Sequence, residues 1–362
     1  MRNAFCGYSP GTSIPMICCS DFEQPPGHET SSVPPSIKRE RSTSTSPSVD
    51  KGVFPGTTES SPSYNSISNV IDVDEENIDQ HPNLRLLPEK CGKTNENRIV
   101  GGSVAGLYEF PWIVLIAYTK GPGKGFSYEC SGTLINERYV LTAAHCIKGK
   151  KVAGVRVGEY NLKTEEDCVG VAPQRTCESL IQDRRLENIT VHKGYLGLGE
   201  AKGHDIALLR LFRPITMNDT IKNAATVCLP TTRELRNRDV SHQESTVAGW
   251  GVNDYRRLSK VLRKVNVNVY SPEDCREHSN IKDVVEDYMT VLCAGEVGKD
   301  SCYGDSGSPL MIESSYPSGS SMKRYVQYGI VSYGPSECGI GQPAIYTDVS
   351  KYMKWILDNI QE

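Results

Sequence analysis

The chain has 362 residues, a formal net charge of −4 and 38% hydrophobic residues: enough for one substantial domain or two fused barrels, and too balanced in charge for a polyanion binder. No stretch approaches the ~20 consecutive apolar residues that a membrane-crossing helix needs. Its 13 cysteines are many for a reducing compartment, and no pair stands at Cys-x-x-Cys spacing, so disulfides in an oxidising, extracellular setting are expected over a thiolate metal site.

Residues 1–19 carry Cys6, Cys18 and Cys19, and Met1-Arg-Asn-Ala opens without the apolar run of a secretory leader. Residues 20–90 are rich in Ser, Thr and Pro, as in Arg41-Ser-Thr-Ser-Thr-Ser-Pro47. So few large apolar side chains cannot offset the entropy of ordering, and a disordered linker is expected, closed by the acidic run Asp72-Val-Asp-Glu-Glu76 as a solvated spacer. Residues 91–98 form a short segment ending at Arg98, and 99–362 read as one β-rich domain. Strand-like runs recur at Trp112–Tyr118, Ile206–Leu211, Ser245–Ala248 and Tyr325–Val331, with Gly and Pro between them. Val265-Asn-Val-Asn-Val269 alternates as a strand with one buried face does. Many short strands in series suggest barrels or a sandwich. The period then changes: Val349, Tyr352, Met353, Ile356 and Ile360 recur at three and four residues, the pattern of an amphipathic helix.

The chemistry concentrates in Asp300-Ser-Cys-Tyr-Gly-Asp305-Ser306-Gly307. A serine hydroxyl is a weak nucleophile at neutral pH and needs both a base and donors for the oxyanion it creates. A base is offered by Thr142-Ala-Ala-His145-Cys146 and an orienting carboxylate by His204-Asp205-Ile-Ala-Leu-Leu209. Of the two histidines near that carboxylate in these motifs, His204 is discounted, because neighbouring side chains on a strand face opposite ways. The order His145, Asp205, Ser306, with Gly-Asp-Ser-Gly rather than Gly-x-Ser-x-Gly around the serine, is that of the chymotrypsin-type triad.

From Arg98-Ile-Val-Gly-Gly102 to the C-terminus the chain resembles trypsin-like serine endopeptidases, with Phe110-Pro-Trp112, Cys130-Ser-Gly-Thr-Leu134, Gly249-Trp-Gly251 and Ser332-Tyr-Gly334 in family order. Cys6-Gly7 followed by Ile17-Cys18-Cys19 resembles the closing half of a clip domain, the six-cysteine module ahead of many arthropod protease zymogens. The opening half and a secretory signal are missing, so a truncated clip module is expected.

The resemblance implies an all-β fold of two antiparallel six-stranded barrels with a C-terminal helix. It implies the pairs Cys91–Cys228, Cys130–Cys146, Cys168–Cys177, Cys275–Cys293 and Cys302–Cys338, leaving Cys6, Cys18 and Cys19 over. His145, Asp205 and Ser306 would be catalytic, and the N–H groups of Gly304 and Ser306 the oxyanion hole. Asp300 would floor a pocket for Arg or Lys, with Ser332, Gly334 and Ala344 lining the substrate channel. A cut after Arg98 would free the Ile99 amine to pair with Asp305. The implied partners are protein substrates that are themselves zymogens, an upstream activating protease and serpin-type inhibitors, with neither nucleic acid nor membrane, in a melanisation or Toll-type cascade outside the cell. A non-catalytic clip homologue serving as a cascade cofactor is the alternative, and Ser306 argues against it.

Two residues depart from the family pattern: Ala344 stands where Gly is usual on a pocket wall, and Ser308 where Gly is usual behind the nucleophile. Ala344 is expected to narrow the slot and alter Arg-against-Lys discrimination. No cofactor is expected for catalysis. A structural Ca²⁺ is expected on Glu159, Asn161, Thr164 and Asp167, oxygen donors clustered on one loop. Asn188-Ile-Thr190 and Asn218-Asp-Thr220 are candidate glycosylation sites.

Overall fold

The computed structural model describes residues 5–8, 15–17, 78–94, 103–121, 123–170, 173, 175–178, 180–197, 203–252, 257–278, 290–298, 301–335, 338–339 and 341–362. Arg98, Ile99 and Asp300 lie outside them, and so do Cys18 and Cys19. Near the N-terminus, β1 (Phe5–Tyr8) and β2 (Pro15–Ile17) pair antiparallel. Strand β3 (Ser103–Val104) opens the β-rich region.

The first barrel is built from β4 (Ile113–Thr119), β5 (Phe126–Leu134), β6 (Tyr139–Thr142), β7 (Val152–Val157), β10 (Gln182–Val191) and β11 (Ala207–Leu211). They close in the order β10-β11-β6-β5-β4-β7, every pairing antiparallel. The small hairpin of β8 (Asp167–Val169) and β9 (Thr176–Glu178) is inserted between β7 and β10. The apolar run Ile113-Val-Leu-Ile116, mostly β-branched, suits β4, and residues on both of its faces are buried.

The second barrel uses β12 (Glu244–Gly249), β13 (Arg263–Val269), β14 (Val291–Gly295), β15 (Pro309–Ser315), β16 (Lys323–Tyr333) and β17 (Ala344–Asp348). Its order is β12-β15-β16-β17-β14-β13, closed by the pairing of β12 with β13, and β3 adds to the outer edge of β13. Two closed barrels leave few free strand edges, which limits edge-to-edge association. The helices are short: α1 (Arg233–Arg236), α2 (Pro272–His278) and α3 (Met353–Asn359).

Three sequence expectations need correction. In β13, Val267 and Val269 are buried, but Val265 is only half-buried and Lys264 is buried at 6% exposure. Its ammonium pairs with the buried Glu109, so an ion pair interrupts the simple alternation. The C-terminal helix comes in two parts: a 3₁₀ turn over Val349–Tyr352, capped by the Asp348 carboxylate accepting from Ser350 N–H at 2.9 Å, then α3, with Ile360 already extended. Residues 78–90, expected to end the disordered linker, are packed instead. Ile78 is buried, Leu84, Leu86 and Leu87 lie against the core, and Asn83 Nδ2 donates to the carbonyls of Leu357 and Ile360 at 2.9 Å each. Those four apolar side chains give this stretch the burial that the Ser- and Pro-rich part lacks. Cys91, bonded to Cys228, anchors its end.

Candidate active site

His145 sits in the 3₁₀ turn Ala144–Cys146, directly after β6. The turn is held from three sides. Cys146 is bonded to Cys130 of β5, the Tyr118 hydroxyl donates to the Cys146 carbonyl at 2.9 Å, and the Thr142 hydroxyl donates to the Ser131 carbonyl at 2.8 Å. Asp205 arrives just ahead of β11 and accepts from His145 twice: Oδ1 from the backbone N–H at 2.8 Å, and Oδ2 against ring Nδ1 at 2.7 Å. Both side chains are nearly sealed, at 8% and 7% exposure. A donor on Asp205 fixes the tautomer, leaving Nε2 as the proton acceptor.

Two further groups hold this residue, one at its carboxylate and one at its backbone. The Ser332 hydroxyl donates to Oδ2, and the Thr347 hydroxyl donates to the Asp205 carbonyl at 2.9 Å. Burial pushes the Asp205 carboxyl up, but the hydrogen bonds and charge of His145, with the Ser332 hydroxyl, outweigh it and hold the group below the usual carboxylate range. Ser332, expected in the substrate channel, therefore spends its side chain on Asp205. Thr347 was missed, because strand register alone brings it there.

His204 turns away from Asp205, though not through strand pleating, since β11 begins only at Ala207. Its backbone is left-handed (φ 57°), and its ring stacks on His192 at 4.5 Å with Nδ1 2.9 Å from the Tyr352 hydroxyl.

Ser306 comes from the other barrel, on the loop leading into β15. Its carbonyl accepts from Ser131 N–H at 2.9 Å, and Gly307 N–H donates to Val331 at 2.9 Å. A side chain on Gly307 would overlap the Ser131 carbonyl and the Thr142 hydroxyl. The serine loop is thus pressed against the two segments that hold His145, where β5 and β6 end. Cys302 and Cys338 are bonded, bracing this loop. Asp305 N–H donates to the Cys302 carbonyl at 2.9 Å, closing a turn in which Gly304 takes φ +96°, a conformation only glycine adopts freely. Among the described residues the N–H groups of Gly304 and Ser306 take no acceptor.

Asp305 Oδ1 accepts from Gly251 N–H at 2.9 Å and Oδ2 from Cys302 N–H at 3.0 Å. No cation reaches it among the described residues, and burial pushes its carboxyl up to about 6 against those two donors.

Beside the loop, the Ser301 hydroxyl meets the Tyr346 hydroxyl at 2.9 Å, and the Ala344 methyl stands 3.3 Å from where a Cβ on Gly334 would lie. Ala344 therefore faces Gly334 across a narrow slot.

The Glu159–Asp167 loop brings its acids together. Tyr160 N–H donates to Glu159 Oε1 at 3.1 Å and to Asp167 Oδ2 at 3.2 Å, and the Thr164 hydroxyl donates to Asp167 Oδ1 at 2.5 Å. Both carboxylates are buried, Glu159 with Arg156 at 3.3 Å. Burial first, then Asp167, push Glu159 up to about 7 against Arg156. Cys168 and Cys177 are bonded across β8 and β9, as are Cys275 and Cys293 near α2. Asn188 and Asn218 are exposed.

The family model "Trypsin" matches residues 99–356. The chain is 40% identical over 288 residues to CLIP domain-containing serine protease HP8 of Bombyx mori, covering 76% of this chain and 74% of that protein. It is 39% identical over 288 residues to Melanization protease 1 of Drosophila melanogaster, covering 76% and 70%. Among solved structures it is similar to the Drosophila Grass clip serine protease of the Toll pathway, with a TM-score of 0.64, 32% identity and coverage of 78% of this chain and 76% of that one. On these matches, and with two closed barrels meeting at a His–Asp pair and a serine loop, the chain belongs to the trypsin family of serine proteases, among its arthropod clip-domain members.

Proposed function

We propose that the chain is the zymogen of a secreted endopeptidase, activated by a cut after Arg98 and cleaving proteins after Arg or Lys. The observation that carries this reading is the sealed His145–Asp205 pair beside a serine loop whose Gly304 and Ser306 N–H groups are unengaged among the described residues. In the reaction, Ser306 Oγ attacks the scissile carbonyl while His145 Nε2 takes its proton. The developing oxyanion is received by the Gly304 and Ser306 N–H groups, and His145 returns the proton to the leaving amine. Asp205 stabilises the imidazolium and does not itself become protonated.

Basic specificity rests on Asp300, six residues before Ser306, and on a slot between Gly334 and Ala344. A buried carboxylate there selects a cationic side chain. Arg98 makes the activator another protease of similar specificity, and Cys91–Cys228 keeps the N-terminal segment attached after the cut. The freed Ile99 ammonium then supplies Asp305 with the cation it lacks. The names of the relatives support a place in a cascade of the melanization or Toll type; we set it outside the cell, with zymogens as substrates and serpin-type inhibitors as regulators. The exposed Asn188 and Asn218 fit glycan attachment.

An oxygen-only set with two converging buried carboxylates also fits a hard divalent cation. Glu159, Asn161, Thr164 and Asp167 would hold Ca²⁺, which would brace the loop and take no part in the chemistry.

The test is the full chain cut after Arg98, assayed on matched Arg and Lys peptide anilides beside the uncut chain and a cut Ser306→Ala variant. Only the cut wild type should turn over, with Ser306→Ala lower on the order of 10⁵-fold or more. No turnover after a complete cut returns the non-catalytic cofactor reading. Ala344→Gly should speed turnover and change the Arg-to-Lys ratio; unchanged rates would remove Ala344 from the pocket.

A further inference from the structure

Ser308 is one of the two departures from the family pattern, and its side chain is 0% exposed at the foot of β15. Its backbone is fully used: N–H donates to the Asp305 carbonyl and the carbonyl accepts from Val331 N–H, each at 2.9 Å. The hydroxyl, by contrast, has no hydrogen-bond partner among the described residues. Burying a hydroxyl without a partner is unfavourable, because the group gives up its bonds to water. A serine in a place where glycine would serve is therefore a cost unless something comes to meet it.

The direction of the hydroxyl indicates what that is. A Cβ on Gly249 would overlap Asp305 Oδ1 and stand 2.9 Å from Ser308 Oγ. The two oxygens therefore both lie against Gly249, with a gap of no more than about 5 Å between them and no bond to each other. Two acceptors about 4–5 Å apart can be served at once by a single tetrahedral ammonium at ordinary hydrogen-bond length. Only burial and the N–H groups of Cys302 and Gly251 act on Asp305, so no other charged side chain among the described residues competes for that gap.

We propose that Ser308 Oγ is a second receptor, alongside Asp305, for the ammonium released by the cut after Arg98. The proposal rests on the zymogen reading and deepens it. Ser308 is a positioning residue: it acts by holding the new N-terminus on Asp305, which in turn holds the Gly304–Ser306 loop. A hydrogen bond to the charged amine raises its pKa above the ordinary α-amine value of about 7.7–8.0. The active state should then survive to higher pH in this chain than it would with glycine at the position.

The experiment uses the full chain, cut after Arg98, as wild type, Ser308→Gly and Ser308→Ala. The value of kcat/KM on an Arg anilide is followed from pH 7 to 11. Both variants should keep kcat/KM at pH 7.5 within about threefold of wild type while the midpoint of the alkaline limb falls by about half to one pH unit. As a readout independent of activity, cyanate should carbamylate the Ile99 amine about 3–10 times faster in both variants, since less of it is held as ammonium. Unchanged midpoints and carbamylation rates in both variants would overturn the proposal and leave a bridging water in the gap. A change in Ser308→Ala alone would overturn it in favour of packing. If the cut wild type has no activity at any pH, the protease reading itself fails. If it is active and the variants keep its alkaline limb, only the assignment of Ser308 fails.

Discussion

Two aspartates whose carboxyls are buried, Asp205 and Asp305, stand in opposite condition. Asp205 is satisfied by the His145 backbone and ring and by the Ser332 hydroxyl, and its carboxyl is held low. Asp305 has two backbone N–H donors and no cation among the described residues, and burial pushes it up to about 6. The contrast separates two jobs. The first barrel and the Ser332 strand complete the His145–Asp205 pair in the continuous chain, so in the proposed zymogen nothing about His145 waits on activation. The second barrel leaves the Asp305 carboxylate without a cation among the described residues, next to Ser306. An uncompensated buried charge is costly, and that cost is what a docking ammonium can relieve.

The comparison breaks first at Asp205. Asp205→Asn in the cut chain should lower kcat on the order of 10⁴-fold, because an amide facing Nδ1 with its N–H favours the wrong tautomer, while KM changes little. Kinetics on an Arg anilide decide it, and a loss of less than about tenfold would mean that the carboxylate does not orient His145.

Asp305 offers a sharper test of the other half, in the uncut chain. Its carboxyl rises from 3.8 to about 6 on folding, so between those values the folded chain holds more protons than the unfolded one. Stability from this group is therefore present at low pH and lost as pH rises through that window. The loss amounts to as much as about 3 kcal/mol at neutral pH. Denaturant unfolding of uncut wild type and Asp305→Asn should show the variant gaining on wild type between pH 4 and pH 7.5. In the cut chain the order should reverse at pH 7.5, because the ammonium now needs the charge. Parallel curves for wild type and variant at both pH values would sink the idea that Asp305 waits for a cation.

What the sequence could tell follows the same division. Chemistry that sits in a short motif is legible: Ala143-Ala-His145-Cys146, Gly304-Asp-Ser-Gly307 and the strand-length runs such as Ile113-Val-Leu-Ile116 carry their meaning locally. Contacts made by register are not. Nothing in the order of residues places the Ser332 and Thr347 hydroxyls on Asp205, since that depends on how β16 and β17 pair. Lys264 reads as an outward residue in an alternating strand, and only the three-dimensional approach of Glu109 lets it be buried. The left-handed backbone of His204 has no sequence signal of the kind a glycine gives. Ser308 was visible as a departure, but the gap at Gly249 that gives it meaning is a property of three separate segments.

Glu159 is a third buried acid and lies between the two extremes, for it has a cation, Arg156 at 3.3 Å, yet is still pushed up to about 7 by burial and by Asp167. One guanidinium shared with Asp183 does not neutralise two carboxylates. Raised from 4.5, this group costs stability as pH climbs toward 7, since the folded loop prefers the proton. A divalent cation binds only the ionised pair, so its stabilisation must grow over the same window. Calcium at about 100 times its Kd should add about 2–3 kcal/mol at pH 8 and almost nothing at pH 5. Thermal melts of the full chain with Ca²⁺ or EDTA at the two pH values measure this. Glu159→Gln should remove the Ca²⁺ response and leave the melt in EDTA at pH 8 as high as wild type or higher. A wild-type melt that EDTA leaves unmoved at pH 8 would mean that the loop lives with its buried acids unaided, like Asp305 before the cut.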